Sequence, residues 1–149
     1  MALKIDKKHF ELIKAYGEES YPNECCGFLF GKIRNGDKDV VSTMPANNAQ
    51  MQSEQYHRFL IRPDVFLDNE KFAKKRGLEI IGFYHSHPNA AARPSKYDLD
   101  HAWPMYSYVI VSVSENKAND VTSWTLADER SQFKEEDIIV LETAQETYS

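Results

Sequence analysis

The run LEIIGFYHSH, residues 78 to 87, constrains the fold more than any other stretch. It is apolar and β-rich, and turn-forming residues bound it on both sides. Such a run predicts a central strand buried on both faces, which needs neighbours on either edge and a layer on either side. Because residues i and i+2 of a strand share a face, His85 and His87 at its end can aim both imidazoles into one place.

The remaining chain supplies the elements such a strand requires. Asp6 is placed to cap a helix whose apolar positions Phe10, Leu12, Ile13 and Tyr16 precede the stops Gly17 and Pro22, predicting a helix over about residues 6 to 19. CCGFLFGKI reads as a buried strand, NGD as a hairpin turn and DVVSTM as the returning strand. PANNAQMQSEQ has the polar, aperiodic character of a loop, and YHRFLI is a further strand candidate. Pro63 at a first helical turn, followed by Val65, Phe66, Phe72 and Ala73 and closed by Gly77, predicts a helix over about 63 to 76. SKYDLDHAW carries a serine with an acid three positions on, the pattern of a short helix start. YSYVIVSVS, DVTSWTLA and the segment around DIIVLE complete a mixed sheet.

A chain of 149 residues is the size of one domain, and no repeat, low-complexity tract or linker divides it. The formal charge of -5 argues against nucleic acid as a partner, since binding the phosphate backbone calls for a basic face. The first 22 residues carry lysines and glutamates throughout, so a signal peptide or membrane anchor is not expected there. No window approaches the roughly 20 apolar residues of a membrane helix, and a cytoplasmic location is expected. Cys25 and Cys26 are adjacent, which suits neither an ordinary disulfide nor a paired zinc knuckle, so packed, reduced thiols are expected.

The polar segment after the central strand holds the chemistry. Catalytic zinc commonly takes three ligands from His, Asp, Glu or Cys and leaves a position for water. His85, His87 and, after a loop, Asp98 can form such a set. Taken singly, an HxH pair arises readily by chance, and a serine three residues before an aspartate is in general a helix cap. Jointly, His85-x-His87, seven intervening residues and Ser95-x-x-Asp98 are a far more specific pattern.

That pattern resembles the JAMM motif of the MPN+ zinc metalloproteases, written H-x-H, seven residues, S-x-x-D. Glu24-Cys-Cys-Gly27-Phe-Leu29-Phe-Gly31 is similar to the upstream element of the same family, a glutamate followed by a glycine-containing strand. Gly82, Pro88 and Pro94 extend the likeness around the ligands.

The resemblance implies an α/β (α+β) fold in one domain over residues 1 to 149: a mixed, curved β-sheet flanked by helices, of cytidine-deaminase-like architecture. It implies that His85, His87 and Asp98 hold Zn2+, which would bring the pKa of a water toward about 7. Glu24 would be the general base that relays the proton to the leaving amine. Ser95 would donate a hydrogen bond to the oxyanion, a role compatible with capping a helix. Asp100 and His101 fill no motif position and are expected to be supporting or surface groups. His9 and His57 have no partner in spacing and are expected to face solvent or pack. Cys25 and Cys26 occupy variable positions, where packing is the simpler account and a redox-sensitive thiol the alternative.

Family members with intact ligands hydrolyse the bond after the C-terminal Gly-Gly of a ubiquitin-like protein. The resemblance therefore implies such a partner, a sulfur carrier or a conjugated modifier, and a narrow channel for its tail, with the region around PANNAQMQSEQYHRFL as candidate wall. Too few residues separate Asp98 from the strand near Ser107 to house the second insertion of eukaryotic deubiquitinases, so the compact prokaryotic type fits best. A non-catalytic scaffold and a small-peptide amidase are the alternatives. Two helices and several sheet edges leave room for a homodimer without selecting one.

Overall fold

A computed structural model describes residues 2–46, 62–127 and 132–142. The elements in chain order are β1 (Ala2–Asp6), α1 (Lys7–Ser20), β2 (Cys26–Arg34), β3 (Asp37–Ala46), α2 (Pro63–Lys75), β4 (Glu79–Pro88), α3 (Lys96–His101), β5 (Ser107–Ser114), β6 (Lys117–Leu126) and β7 (Phe133–Leu141). The fold is mixed α+β. Its strands run in the order β1-β3-β2-β4-β5-β6-β7, and β7 pairs back onto β1, so the expected curved sheet closes into a barrel.

The central strand is where the sequence places it: β4 lies between β2, to which it is antiparallel, and β5, to which it is parallel. Strand alternation, with one extra residue of β4 opposite Leu29 and Phe30, divides the side chains of β2, β4 and β5 between two cores. Leu29, Ile81, Tyr84, Val109, Val111 and Val113 pack on one face, against Ile13, Phe10 and Tyr16 of α1. Phe28, Phe30, Ile80, Phe83 and Tyr108 pack on the other, against Ala73, Phe66 and Phe72 of α2. Phe28 and Phe30 are wholly removed from solvent, and burial of this kind contributes about 1.5–3 kcal/mol per side chain.

Strand β1 is the element that the sequence reading missed. Its Leu3 and Ile5 point into the core beside Val40, and it pairs in parallel with both β3 and β7. Asp6, its last residue, is also the N-cap of α1: one side-chain oxygen accepts from the His9 backbone N–H at 2.9 Å and lies 2.7 Å from His9 Nδ1. His9 therefore has a partner, contrary to the expectation from spacing, because the first turn of a helix brings N3 back onto its cap.

The hairpin turn at Asn35-Gly36 forms as expected, with φ of 51° and 85°, the left-handed pair that a tight β2–β3 connection needs. The strand candidate YHRFLI, His57 and most of the loop before them lie outside the described residues, although Pro45 and Ala46 belong to β3. Among the described residues no helix is long and apolar enough to cross a membrane.

Gly27 is required by the packing of one aromatic ring. A β-carbon there would collide with Cζ and the hydroxyl of Tyr84, which is fully buried and stacked on Tyr16 and so has nowhere to go. Gly27→Ala is expected to cost about 1–3 kcal/mol, the range for overpacking a filled core, read as a lower midpoint in thermal or urea unfolding.

Candidate metal centre

The centre is assembled from the ends of neighbouring elements. Strand alternation places His85 and His87 on the face of β4 that carries Phe83, and parallel pairing sets Ser112 of β5 beside His87. The loop after Pro88 then returns the chain to α3. Ser95 caps this helix: its Oγ accepts from the Asp98 N–H at 3.0 Å, and Asp98 Oδ2 accepts from the Ser95 N–H at 2.8 Å. This reciprocal cap fixes the Asp98 carboxylate over the histidines.

Three side-chain atoms converge there. His85 Nε2 lies 3.1 Å from His87 Nε2, and Asp98 Oδ2 lies 3.4 Å from the first and 3.3 Å from the second. Zinc bonds of about 2.0–2.1 Å at tetrahedral angles put ligand atoms about 3.3–3.4 Å apart, so this triangle has the dimensions of one face of a zinc tetrahedron. All three side chains are nearly buried. Among the described residues no other group of His, Cys, Asp and Glu side chains is arranged to hold a metal.

The electrostatics favour a cation. Burial works against ionisation of Asp98, but the two imidazoles and the Ser95 N–H outweigh it and hold the carboxyl well below the usual carboxylate range. Burial pulls His85 below the ordinary histidine value against the attraction of Asp98. The same burial acts on His87, where the bond to Asp98 and the Ala91 carbonyl overcome it and raise the value. His87 Nδ1 is 3.0 Å from the Ala91 carbonyl, which only accepts, so a metal bound at Nε2 would leave the ring proton on Nδ1, donated to that carbonyl.

Glu24 arrives by sheet pairing. Cys26 is paired with His85, and one residue earlier Cys25 is tied to β4 twice: the Ser86 N–H donates to its carbonyl at 3.1 Å, and its own N–H donates to Ser86 Oγ at 2.8 Å. On that register Glu24 comes level with His87, and it is buried. The hydroxyl oxygen of Ser95 already accepts from the Asp98 N–H, which leaves its O–H to donate. Asp100 faces solvent and pairs with Lys96 one turn earlier, at 3.3 Å, so it belongs to the surface of α3. The side chain of His101 is not among those described.

Both cysteines are free. Burial, with Cys25 and Glu24 close by, pushes the Cys26 thiol up to about 12, and burial raises Cys25 as well. A thiol held that high is scarcely ionised at neutral pH, which argues for packing over reactivity. At pH 8, Cys26 in the folded protein is expected to react with a disulfide reagent on the order of 10³-fold more slowly than in denaturant, a contrast that absorbance kinetics reads directly.

Two parts of the centre left no trace in sequence spacing: the Ala91 carbonyl that orients His87, and Ser86, which locks the Glu24 segment to β4. The first is a backbone atom and the second a serine between two histidines, and only the folded register gives either a role.

Comparison with known proteins bears on this geometry. Residues 6–127 match the family Prok-JAB, prokaryotic homologs of the JAB domain. A protein named desampylase from Haloferax volcanii is 32% identical over 92 residues, a segment covering 61% of this chain and 63% of that protein, so the match spans less than two thirds of the relative. A protein of the same name from Pyrococcus furiosus is 29% identical over 119 residues, 78% of this chain and 76% of that one. Among solved structures, protein DSY2949 from Desulfitobacterium hafniense superposes with a TM-score of 0.81 at 32% identity, covering 94% of this chain and 93% of its own.

Proposed function

The chain belongs to the prokaryotic homologs of the JAB domain, and from that premise we propose that it is a zinc-dependent protease that cleaves after the C-terminal Gly-Gly of a ubiquitin-like protein. The observation that carries this reading is the triangle of His85 Nε2, His87 Nε2 and Asp98 Oδ2, with edges of 3.1, 3.3 and 3.4 Å. Two relatives named desampylase support the substrate class.

In this reading His85, His87 and Asp98 hold the zinc. When bound, the ion supplies Lewis acidity, polarising the scissile carbonyl and bringing the pKa of water toward about 7. Glu24 takes the proton of the attacking water on its carboxylate and later delivers it to the departing amine. Burial of Glu24 beside the centre keeps that proton from exchanging freely with solvent. The Ser95 hydroxyl donates to the oxyanion of the tetrahedral intermediate. One residue thus fixes a ligand through its cap and stabilises the developing charge.

The test is the intact mass of a Gly-Gly-tailed ubiquitin-like protein extended by a short C-terminal peptide, after incubation with the zinc-loaded protein. Loss of everything beyond the Gly-Gly supports the reading. Cleavage of a short Gly-Gly peptide at an equal rate would point instead to a small-peptide amidase, and unchanged masses across all carriers would point to a scaffold.

A further inference from the structure

The loop between the second histidine and α3 is held by a row of hydrogen bonds, two of them from side chains that the proposed chemistry does not use. Three consecutive backbone carbonyls each receive a hydrogen bond. Ser112 Oγ donates to Ala90 at 2.8 Å, His87 Nδ1 to Ala91 at 3.0 Å, and Thr122 Oγ1 to Ala92 at 2.6 Å. Trp124 Nε1 donates to Thr122 Oγ1 at 2.7 Å, occupying a lone pair and turning the threonine's own proton toward Ala92. Register explains the alignment: His87 pairs with Ser112, and Thr122 pairs with Ile110 one strand further on, so these groups share the face of the sheet that carries the histidines.

We infer that Ser112 and Thr122 are positioning residues for the metal centre, acting through the loop carbonyls on the tautomer and orientation of His87. The consequence for zinc rests on the metal reading above; the geometry of the clamp does not. The Ala91 carbonyl, which also accepts from the Arg93 N–H at 2.8 Å, is the acceptor facing His87 Nδ1 and competes with Asp98 at Nε2 for the ring proton. It sits between two carbonyls whose directions Thr122 and Ser112 fix from β6 and β5. The loop start is held as well, by the Asn89 N–H on the Val113 carbonyl at 2.7 Å and by the Tyr21 hydroxyl on Asn89 Oδ1 at 2.7 Å. Since the same loop leads into the Ser95 cap, slack at Ala92 would reach Asp98 too. Groups hydrogen-bonded directly to a ligand typically change metal affinity by about 10–100-fold, and Ser112 and Thr122, one step further out, are expected at the lower end of that range.

Thr122→Val keeps the β-branched shape and removes the donor, whereas Thr122→Ser keeps the donor. Two readouts separate positioning from a general structural role. In the metal-free protein, in alkaline buffer where the ring is neutral, long-range ¹H–¹⁵N spectra report the His87 tautomer. We expect a larger Nδ1–H share in the wild type and in Thr122→Ser than in Thr122→Val and in Ser112→Ala, where Nε2–H toward Asp98 gains. In competition with a chromophoric chelator, the zinc dissociation constant should rise about tenfold in Thr122→Val and return to the wild-type value in Thr122→Ser. The wild-type tautomer ratio with unchanged affinity in Thr122→Val would overturn the inference, as would equal losses in the serine and valine variants. Failure of the wild type to bind zinc would count against the metal centre itself, while the tautomer measurement, which needs no metal, would still decide the clamp.

Discussion

Replacing Asp98 with alanine is expected to raise the zinc dissociation constant by about 10²–10³-fold and to abolish hydrolysis. Structural zinc sites with four protein ligands are worth about 10–16 kcal/mol, about 2.5–4 kcal/mol per ligand, with each 1.4 kcal/mol a factor of ten. The substitution also removes the acceptor of the Ser95 N–H and half of the reciprocal cap, which costs about 1 kcal/mol and frays α3. Asp98→Asn separates the two effects, because its amide oxygen can still cap the helix while the negative charge beside the histidines is gone. Chelator competition should therefore rank wild type, Asp98→Asn and Asp98→Ala in order of weakening affinity. Thermal unfolding of the metal-free proteins should single out Asp98→Ala. Wild-type zinc affinity in Asp98→Ala would remove this residue from the ligand set.

The second large effect is kinetic. Glu24→Gln is expected to lower kcat by about 10²–10⁴-fold, the range for a general acid–base group, while leaving bound zinc at one equivalent. The amide fills the same space but cannot accept the proton of the attacking water. Its segment should remain seated, because the pair of hydrogen bonds between Cys25 and Ser86 involves no Glu24 atom. Metal content measured on the same sample as the rate separates this outcome from that of Asp98→Ala. Full turnover in Glu24→Gln would eliminate the proposed base.

The grouping of His85, His87 and Asp98 was legible in the sequence through its likeness to the JAMM motif, and much of its placement is local. The period-2 rule fixes the shared face of His85 and His87, and a capping pattern places Asp98 at the third position of a helix that begins at Ser95. The hairpin at Asn35-Gly36 was legible for the same reason, its residue types matching the left-handed geometry the turn requires. The β5–β6 turn uses the same geometry at Glu115 and Asn116, with φ of 50° and 65°, but a glutamate in that position does not announce it.

What escaped depends on long-range register. β1 is only five residues long and runs directly into α1, so the helix signal overshadows the Leu3–Ile5 alternation. Its partner β7, with Ile5 opposite Val140, lies at the far end of the chain, and without that pairing the barrel closure is invisible. Ser112 and Thr122 likewise read as ordinary strand residues until the register sets them over the loop at Ala90 and Ala92.

The proposed function turns on one zinc ion bound by His85, His87 and Asp98. An anomalous-difference map from crystals of the zinc-loaded protein, collected on both sides of the zinc absorption edge, tests it. A single peak is expected at about 2.0–2.1 Å from His85 Nε2, His87 Nε2 and Asp98 Oδ2 alike. A map with no peak at the triad, or a peak held by other side chains, would contradict it.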